Sequence, residues 1–137
     1  MKRREFIALA AATALVPLGA RAAEPLTYTE GLVAKHLAAG DTVFVDFYTD
    51  WCSTCRAQRR SIAALREENP EYDKNIVFIN VDWDIHSGST VSKKYDIRRR
   101  STLLVLKGDE ELGRIVADTS RSAIKELMDK GLAAATA

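Results

Sequence analysis

Thr42-Val43-Phe44-Val45-Asp46-Phe47-Tyr48 is rich in β-branched and aromatic residues and apolar at nearly every position. That is the pattern of a central strand covered on both faces. Thr49-Asp50-Trp51 follows, and Cys52-Ser53-Thr54-Cys55 then opens a helical stretch that runs to about Glu68 and stops at Asn69-Pro70. A dithiol at this spacing can close into a small disulfide ring and reopen. Cys52 falls at the helix N-terminus, where unpaired backbone N–H groups and the helix dipole stabilise a thiolate. The thiolate is the species that attacks a disulfide. Cys55, one turn on, is expected to be more buried and placed to resolve a mixed disulfide.

Other readings of the pair are weaker. As a structural staple, a loop of about four residues contributes only roughly 2 kcal/mol in the chain-entropy account, less than half that of a long loop. As half of a metal site, the pair finds nitrogen donors only in His36 and His86, neither at ligand spacing from the cysteines. Redox chemistry uses both sulfurs and needs no further ligand.

Around this stretch the pattern continues. Thr29 to Ala39 reads as a helix, with Leu32, Val33 and Leu37 on one face and Gly40 as its left-handed stop. Ile76 to Val81 is a second buried strand, Thr90 to Tyr95 a short helix, Thr102 to Leu106 a third strand, and Leu112 to Ala117 a fourth after the turn Lys107-Gly108-Asp109. Ser120 is the N-cap of a last helix that turns Ile124, Leu127 and Met128 inward and is expected to close at Gly131. Strands joined through helices should run parallel and the strand after the tight turn antiparallel. The fold class is α/β, with a mixed central β-sheet of about four to five strands flanked by helices.

The chain has 137 residues, of which 47% are apolar and 28% charged. This is the size of one domain and the composition of a globular one, which argues against disorder or a fibre. With 20 basic and 19 acidic residues the net charge is +1, too small for binding driven by bulk charge, so no nucleic-acid partner is expected. Two cysteines are too few for a disulfide-rich scaffold or an all-cysteine zinc site. No apolar run reaches about 18–20 residues, so no stretch is a clear membrane span.

Residues 1–22 read as an export signal and 23–137 as the working domain. Lys2, Arg3 and Arg4 form a positive start, Phe6 to Ala20 carries no charge, and Ala20-Arg21-Ala22 has the small-x-small form of a cleavage site. Arg3-Arg4-Glu5-Phe6-Ile7 resembles a twin-arginine signal. A general secretory leader and an uncleaved anchor are the alternatives; Pro17 and Gly19 interrupt helix near the end of the run and weaken the anchor. The leader holds Lys2, Arg3, Arg4 and Arg21 against Glu5, so the remaining chain carries 16 basic and 18 acidic residues, a net of −2. The expected location is the periplasm, an oxidising compartment in which two cysteines can pair.

Val45-Asp46-Phe47-Tyr48-Thr49-Asp50-Trp51-Cys52-Ser53-Thr54-Cys55 resembles the active-site strand and elbow of the thioredoxin family. The likeness continues through Asn80-Val81-Asp82, Tyr95-Asp96-Ile97 and Thr102-Leu103-Leu104-Val105-Leu106, and spans most of residues 29–130. It implies a thioredoxin-like fold and a thiol–disulfide oxidoreductase, with Cys52 as nucleophile, Cys55 as resolving thiol and no cofactor or metal. It also implies that Asp46 lies buried beneath the dithiol and relays a proton to or from Cys55, with a pKa raised by burial. Trp51, with the exported leader, resembles periplasmic members. Trp51 is expected to shield the dithiol and offer an apolar docking surface. Partners would be protein substrates with disulfides or thiols and a membrane electron-donor protein, with the reductase direction favoured and the protein a monomer.

The sequence departs from the family in three places. Ser101 stands where a cis-proline usually faces the dithiol. A non-proline cis bond costs about 2.5–4 kcal/mol, so the Arg100–Ser101 bond is expected to be trans and the loop to differ. Arg100, Ser101 and Thr102 remain the candidate substrate-binding stretch, and Ser101 could offer a hydroxyl to a thiolate. Ser53-Thr54 replaces the usual Gly-Pro between the cysteines, and a proline later in the helix is missing near Arg60. Arg56, Arg59, Arg60 and Arg98, Arg99, Arg100 form two basic clusters that would lower the Cys52 pKa if they gather at the dithiol. Trp83 is expected to pack at a sheet end. The alternative function is a non-enzymatic module of the same fold that holds a metal or a client protein through Cys52 and Cys55.

Overall fold

The computed structural model describes residues 23–137; the leader read over residues 1–22 lies outside the described residues. In chain order the elements are β1 (Leu26–Thr27), α1 (Leu32–Ala38), β2 (Thr42–Tyr48), α2 (Ser53–Glu68), α3 (Glu71–Asn75), β3 (Ile76–Asp82), α4 (Trp83–His86), α5 (Thr90–Lys94), β4 (Thr102–Lys107), β5 (Glu110–Val116) and α6 (Arg121–Ala135). The strands form one sheet in the order β1-β3-β2-β4-β5. Among the described residues no helix is long and apolar enough to cross a membrane.

The apolar run of β2 earns its central place. Successive side chains point to opposite faces of a strand. Val43, Val45 and Phe47 therefore enter a core with Val33, Ile79, Val81, Val91 and Leu104, while Phe44 enters another with Ile62, Leu65, Ile124 and Met128. Asp46 shares the parity of Phe44, so the strand itself delivers this carboxylate to the face covered by α2 and α6. Trp83 meets Phe47 edge to face, with ring centroids 6.2 Å apart, and packs at the end of the sheet as expected.

β3 runs parallel to β2, as the helical connection predicts, and β5 runs antiparallel to β4. The expectation that β4 would also be parallel is wrong: it pairs antiparallel with β2. The registers give the reason. Asp82 at the end of β3 lies beside Tyr48, and Thr102 at the start of β4 lies beside Phe47. Residues 83–101 stay at one end of the sheet as the short turns α4 and α5, rather than crossing its length. The reversal brings Ser101 to the end of β2, where Cys52 is.

Two helix boundaries also differ from expectation. α1 starts at Leu32 rather than Thr29 because Gly31 is left-handed, with φ 84°. α6 continues past Gly131 to Ala135. Gly131 is not a stop but a close approach: a Cβ there would lie 3.1 Å from Val105 Cγ1 and 3.2 Å from Ile76 Cδ1. Gly131→Ala would gain about 1 kcal/mol of helix propensity and lose about 1–3 kcal/mol by crowding a packed core. The β-branched Val105 is fully buried and has little room to yield, so a net loss of about 1 kcal/mol is expected. A lowered urea midpoint at unchanged slope is the measurement.

Candidate active site

β2 ends at Tyr48 and α2 begins at Ser53, so Thr49 to Cys52 makes the elbow between them. Cys52 is the N-cap of α2: its backbone is extended and its Sγ accepts from the Cys55 N–H at 3.3 Å. An orphan N–H of the first turn is thereby turned on the sulfur. Cys55 follows one turn in and is fully buried, while Cys52 keeps 5% exposure, so the first sulfur is the one an incoming group reaches.

Ser101 completes the pair. Its Oγ lies 3.3 Å from Cys52 Sγ and 3.0 Å from Cys55 Sγ. The Arg100–Ser101 bond is trans, as expected, and Ser101 sits at φ 63°, a conformation sparsely populated by residues with a side chain. Three hydrogen bonds hold it there: Ser101 N–H donates to Phe47 O at 2.7 Å, and Ser101 O accepts from Ala117 N–H at 2.9 Å and from Gln58 Nε2 at 3.0 Å.

Burial pushes the Cys52 thiol up, but hydrogen bonds from Cys55, Ser101, the Cys55 backbone N–H and, last, Arg100 outweigh it and bring the pKa down from 9.0 to about 6. Burial pushes the Cys55 thiol up as well, and there the rise stands, because its hydrogen bond with Cys52 favours the protonated thiol further. The two sulfurs are thus pushed apart, one toward thiolate and one toward thiol. Asp46 is 3% exposed, and its Oδ1 has no hydrogen-bond partner. Burial raises its pKa from 3.8 to about 7; Arg59 opposes the rise and Cys52 adds to it. Asp46 lines a cleft of about 590 Å³ with Arg59, Glu67 and Asn80, roomy enough for water.

The basic clusters do not gather at the sulfurs. Arg98 pairs with Asp96, Arg99 donates to Arg100 O, Arg56 donates to Asp50 O, and Arg59 lies over the Tyr48 ring. Only Arg100 adds to the lowering at Cys52, and hydrogen bonds there do more than any remote field. Among the described residues no three His, Cys, Asp or Glu side chains stand together as metal ligands would.

The dithiol thus sits at a strand-to-helix elbow at one end of a five-stranded mixed sheet. The family model described as Thioredoxin matches residues 26–130. The chain belongs to the thioredoxin family. Thioredoxin C-2 of Corynebacterium nephridii is 32% identical over 107 residues, 77% of this chain and 94% of its own. Thioredoxin-2 of Saccharomyces cerevisiae is 34% identical over 91 residues, 66% of this chain and 81% of its own. The crystal structure of Trxlp from Edwardsiella tarda matches at a TM-score of 0.67 and 25% identity, covering 77% of this chain and 98% of that one. The fold is thioredoxin-like, and the chain is a thiol–disulfide oxidoreductase of the class that acts on protein thiols and disulfides.

Within this thioredoxin-family site the residues expected to meet substrate divide into two groups. Ser101 and Thr102 are buried at 0% and 1% exposure, and the backbone groups of Ser101 are spent inside the protein. Trp51 is 59% exposed. Its Nε1–H donates to Asp84 at 2.9 Å, and the Arg100 guanidinium lies 4.3 Å from the ring centroid, a cation–π contact that fixes the indole. Trp51 and Arg100 therefore form the outward face of the dithiol.

Two contributors escaped the sequence reading. Gln58 lies three residues past Cys55 on the inward face of α2 and donates to both Ser101 O and Asp118 O; a polar residue on a buried helical stripe was the available signal. Asp84, the anchor of Trp51, lies 33 residues away in a short turn, and nothing local marks it.

Proposed function

We propose that this chain is an exported, periplasmic member of its family that reduces protein disulfides through Cys52 and Cys55, with Asp46 as the proton relay. The observation that carries the proposal is the split between two neighbouring sulfurs, one held toward thiolate at the helix mouth and the other held as a thiol, with a buried carboxyl group close enough to feel the charge on Cys52. Cys52 Sγ⁻ attacks one sulfur of a client disulfide; that S–S bond breaks, a mixed disulfide forms, and the first client sulfur leaves as thiolate. Cys55 gives its proton to the Asp46 carboxylate and attacks Cys52 Sγ. The second client sulfur leaves as thiolate, and two electrons have passed from the dithiol to the client. Trp51 and Arg100 present the docking face, with Ser101 and Thr102 shaping it from beneath. A donor dithiol, supplied by a membrane electron carrier, regenerates Cys52 and Cys55, and the protein works as a monomer without metal or cofactor.

Export is supported by the positive start, uncharged run and small-x-small site of residues 1–22. Replacing Arg3 and Arg4 together by lysine should hold the protein in the cytoplasm if the twin-arginine route is used; unchanged fractionation would remove that route. Catalytic reduction of insulin disulfides by metal-free protein is the activity test. Stoichiometric metal on the purified protein with no turnover would favour the binding-module alternative. The alkylation rate of Cys52 should climb about tenfold per pH unit below pH ~6 and level off above it, because only the thiolate reacts. A rise that continues to pH ~9 would mean an unactivated thiol.

A further inference from the structure

We infer that the Ser101 hydroxyl is an alternating hydrogen-bond donor to the two sulfurs, serving Cys52 in the free dithiol and Cys55 in the mixed disulfide. This rests on the roles given to Cys52 and Cys55 above and assigns Ser101 a place in both chemical steps. The geometry is direct. One Oγ stands within 3.0 Å of Cys55 Sγ and 3.3 Å of Cys52 Sγ. Ser101 is fully buried, so no solvent molecule competes at that atom. Its backbone is pinned through Phe47 O, Ala117 N–H and Gln58 Nε2, so the side chain keeps its station while clients come and go.

A hydroxyl has one proton to give and lone pairs to accept with, and the proton rotates toward the stronger acceptor. In the free dithiol Cys52 is the anion. Ser101 O–H then donates to Cys52 Sγ⁻, beside the Cys55 S–H that donates to the same sulfur. Once Cys52 is bonded to a client sulfur it carries no charge and is a poor acceptor. Cys55 next loses its proton to Asp46, and the Ser101 proton swings to Cys55 Sγ⁻. No bond to Ser101 is made or broken; the electrons move only between sulfurs, and the proton ends on Asp46. Hydrogen bonds to an ionised partner are roughly twice as strong as neutral ones, so the same hydroxyl stabilises whichever sulfur is charged. A residue without a hydroxyl at this position could do neither.

The test uses Ser101→Ala and Ser101→Gly in the full-length chain. Both remove the hydroxyl, but only glycine adopts the positive φ of this position freely, so an effect of backbone strain separates the two variants and an effect of the hydroxyl does not. Thermal melts confirm that each is folded. Ultraviolet thiolate titration should place the Cys52 midpoint about one pH unit higher in both variants, a tenfold loss of thiolate at fixed pH. The second step is read by loading Cys52 with thionitrobenzoate and following release of the coloured thiol as Cys55 attacks. Release should slow about tenfold in both variants, which is the equivalent weakening of the Cys55 anion. A shifted titration with unchanged release overturns the alternation, and so do unequal effects in alanine and glycine. If the unsubstituted chain fails to release the coloured thiol, the assigned roles of the two cysteines fall and this inference falls with them. If it releases normally and both variants match it, this inference falls alone.

Discussion

Cys55→Ala will leave Cys52 covalently joined to its clients, because the attacking thiolate survives while the group that cleaves the mixed disulfide is gone. Expressed in its host with residues 1–22 in place and recovered under conditions that block free thiols, the variant should carry client proteins on non-reducing gels, and identifying them names the substrates. Cys52→Ser is the counterpart. It removes the sulfur that caps α2 and reaches solvent, so insulin reduction should fall by about a thousandfold or more, while the fold persists because serine is a competent N-cap. A Cys55→Ala chain that captures nothing, where an equivalent variant of an ordinary thioredoxin captures clients, would overturn the assignment of Cys52 as nucleophile.

The second large effect belongs to Asp46. Its pKa is raised from 3.8 to about 7, chiefly by burial, so the folded protein holds a proton that the unfolded chain has released. Stability linked to this group is complete below pH ~4, is lost as pH rises toward 7 and stays lost above it. Three pH units correspond to about 4 kcal/mol. Asp46→Asn should therefore be more stable than the unsubstituted protein at pH 8, by about 2–4 kcal/mol, nearly equal to it at pH 4, and free of the slope between. The same substitution should slow attack by Cys55 by about 100-fold near pH 7, because the proton acceptor is gone. Urea unfolding at the two pH values and single-turnover release measure the two halves. Parallel stability curves for the two proteins would show that Asp46 is not an unsatisfied buried carboxyl.

That stability should fall where the chemistry is served follows from the position of Asp46 in β2. A carboxylate among Phe44, Phe47 and Val45 was legible in the sequence because local pattern alone marks it: an acid inside an apolar strand is satisfied or used. The dithiol was legible for the same reason, since spacing of three within a helix start is a local feature. The direction of β4 was not. It depends on which end of the sheet residues 83–101 return to, and short turns such as α4 and α5 leave weak signals. Gly131 misled because a glycine near a helix end has two uses, a left-handed stop and a close approach, and only the facing Val105 and Ile76 decide between them. The arginine clusters misled in a similar way. Adjacency in sequence suggested a shared field, but Arg98 pairs with Asp96, Arg56 donates to the Asp50 carbonyl and Arg59 lies over the Tyr48 ring. The departure at Ser101 was visible in the sequence; its reach to both sulfurs required the reversal of β4.

Because β4 doubles back, the reactive centre is assembled from positions about fifty residues apart in the chain, 46 to 55 on one side and 101 on the other. A nascent polypeptide displays both thiols bare until the far segment docks. Threaded unfolded into an oxidising milieu, they would be open to indiscriminate capture during that interval. Delivered already folded, they would arrive sheathed, so, if the chain is exported as proposed, the translocation route bears on whether it arrives chemically intact.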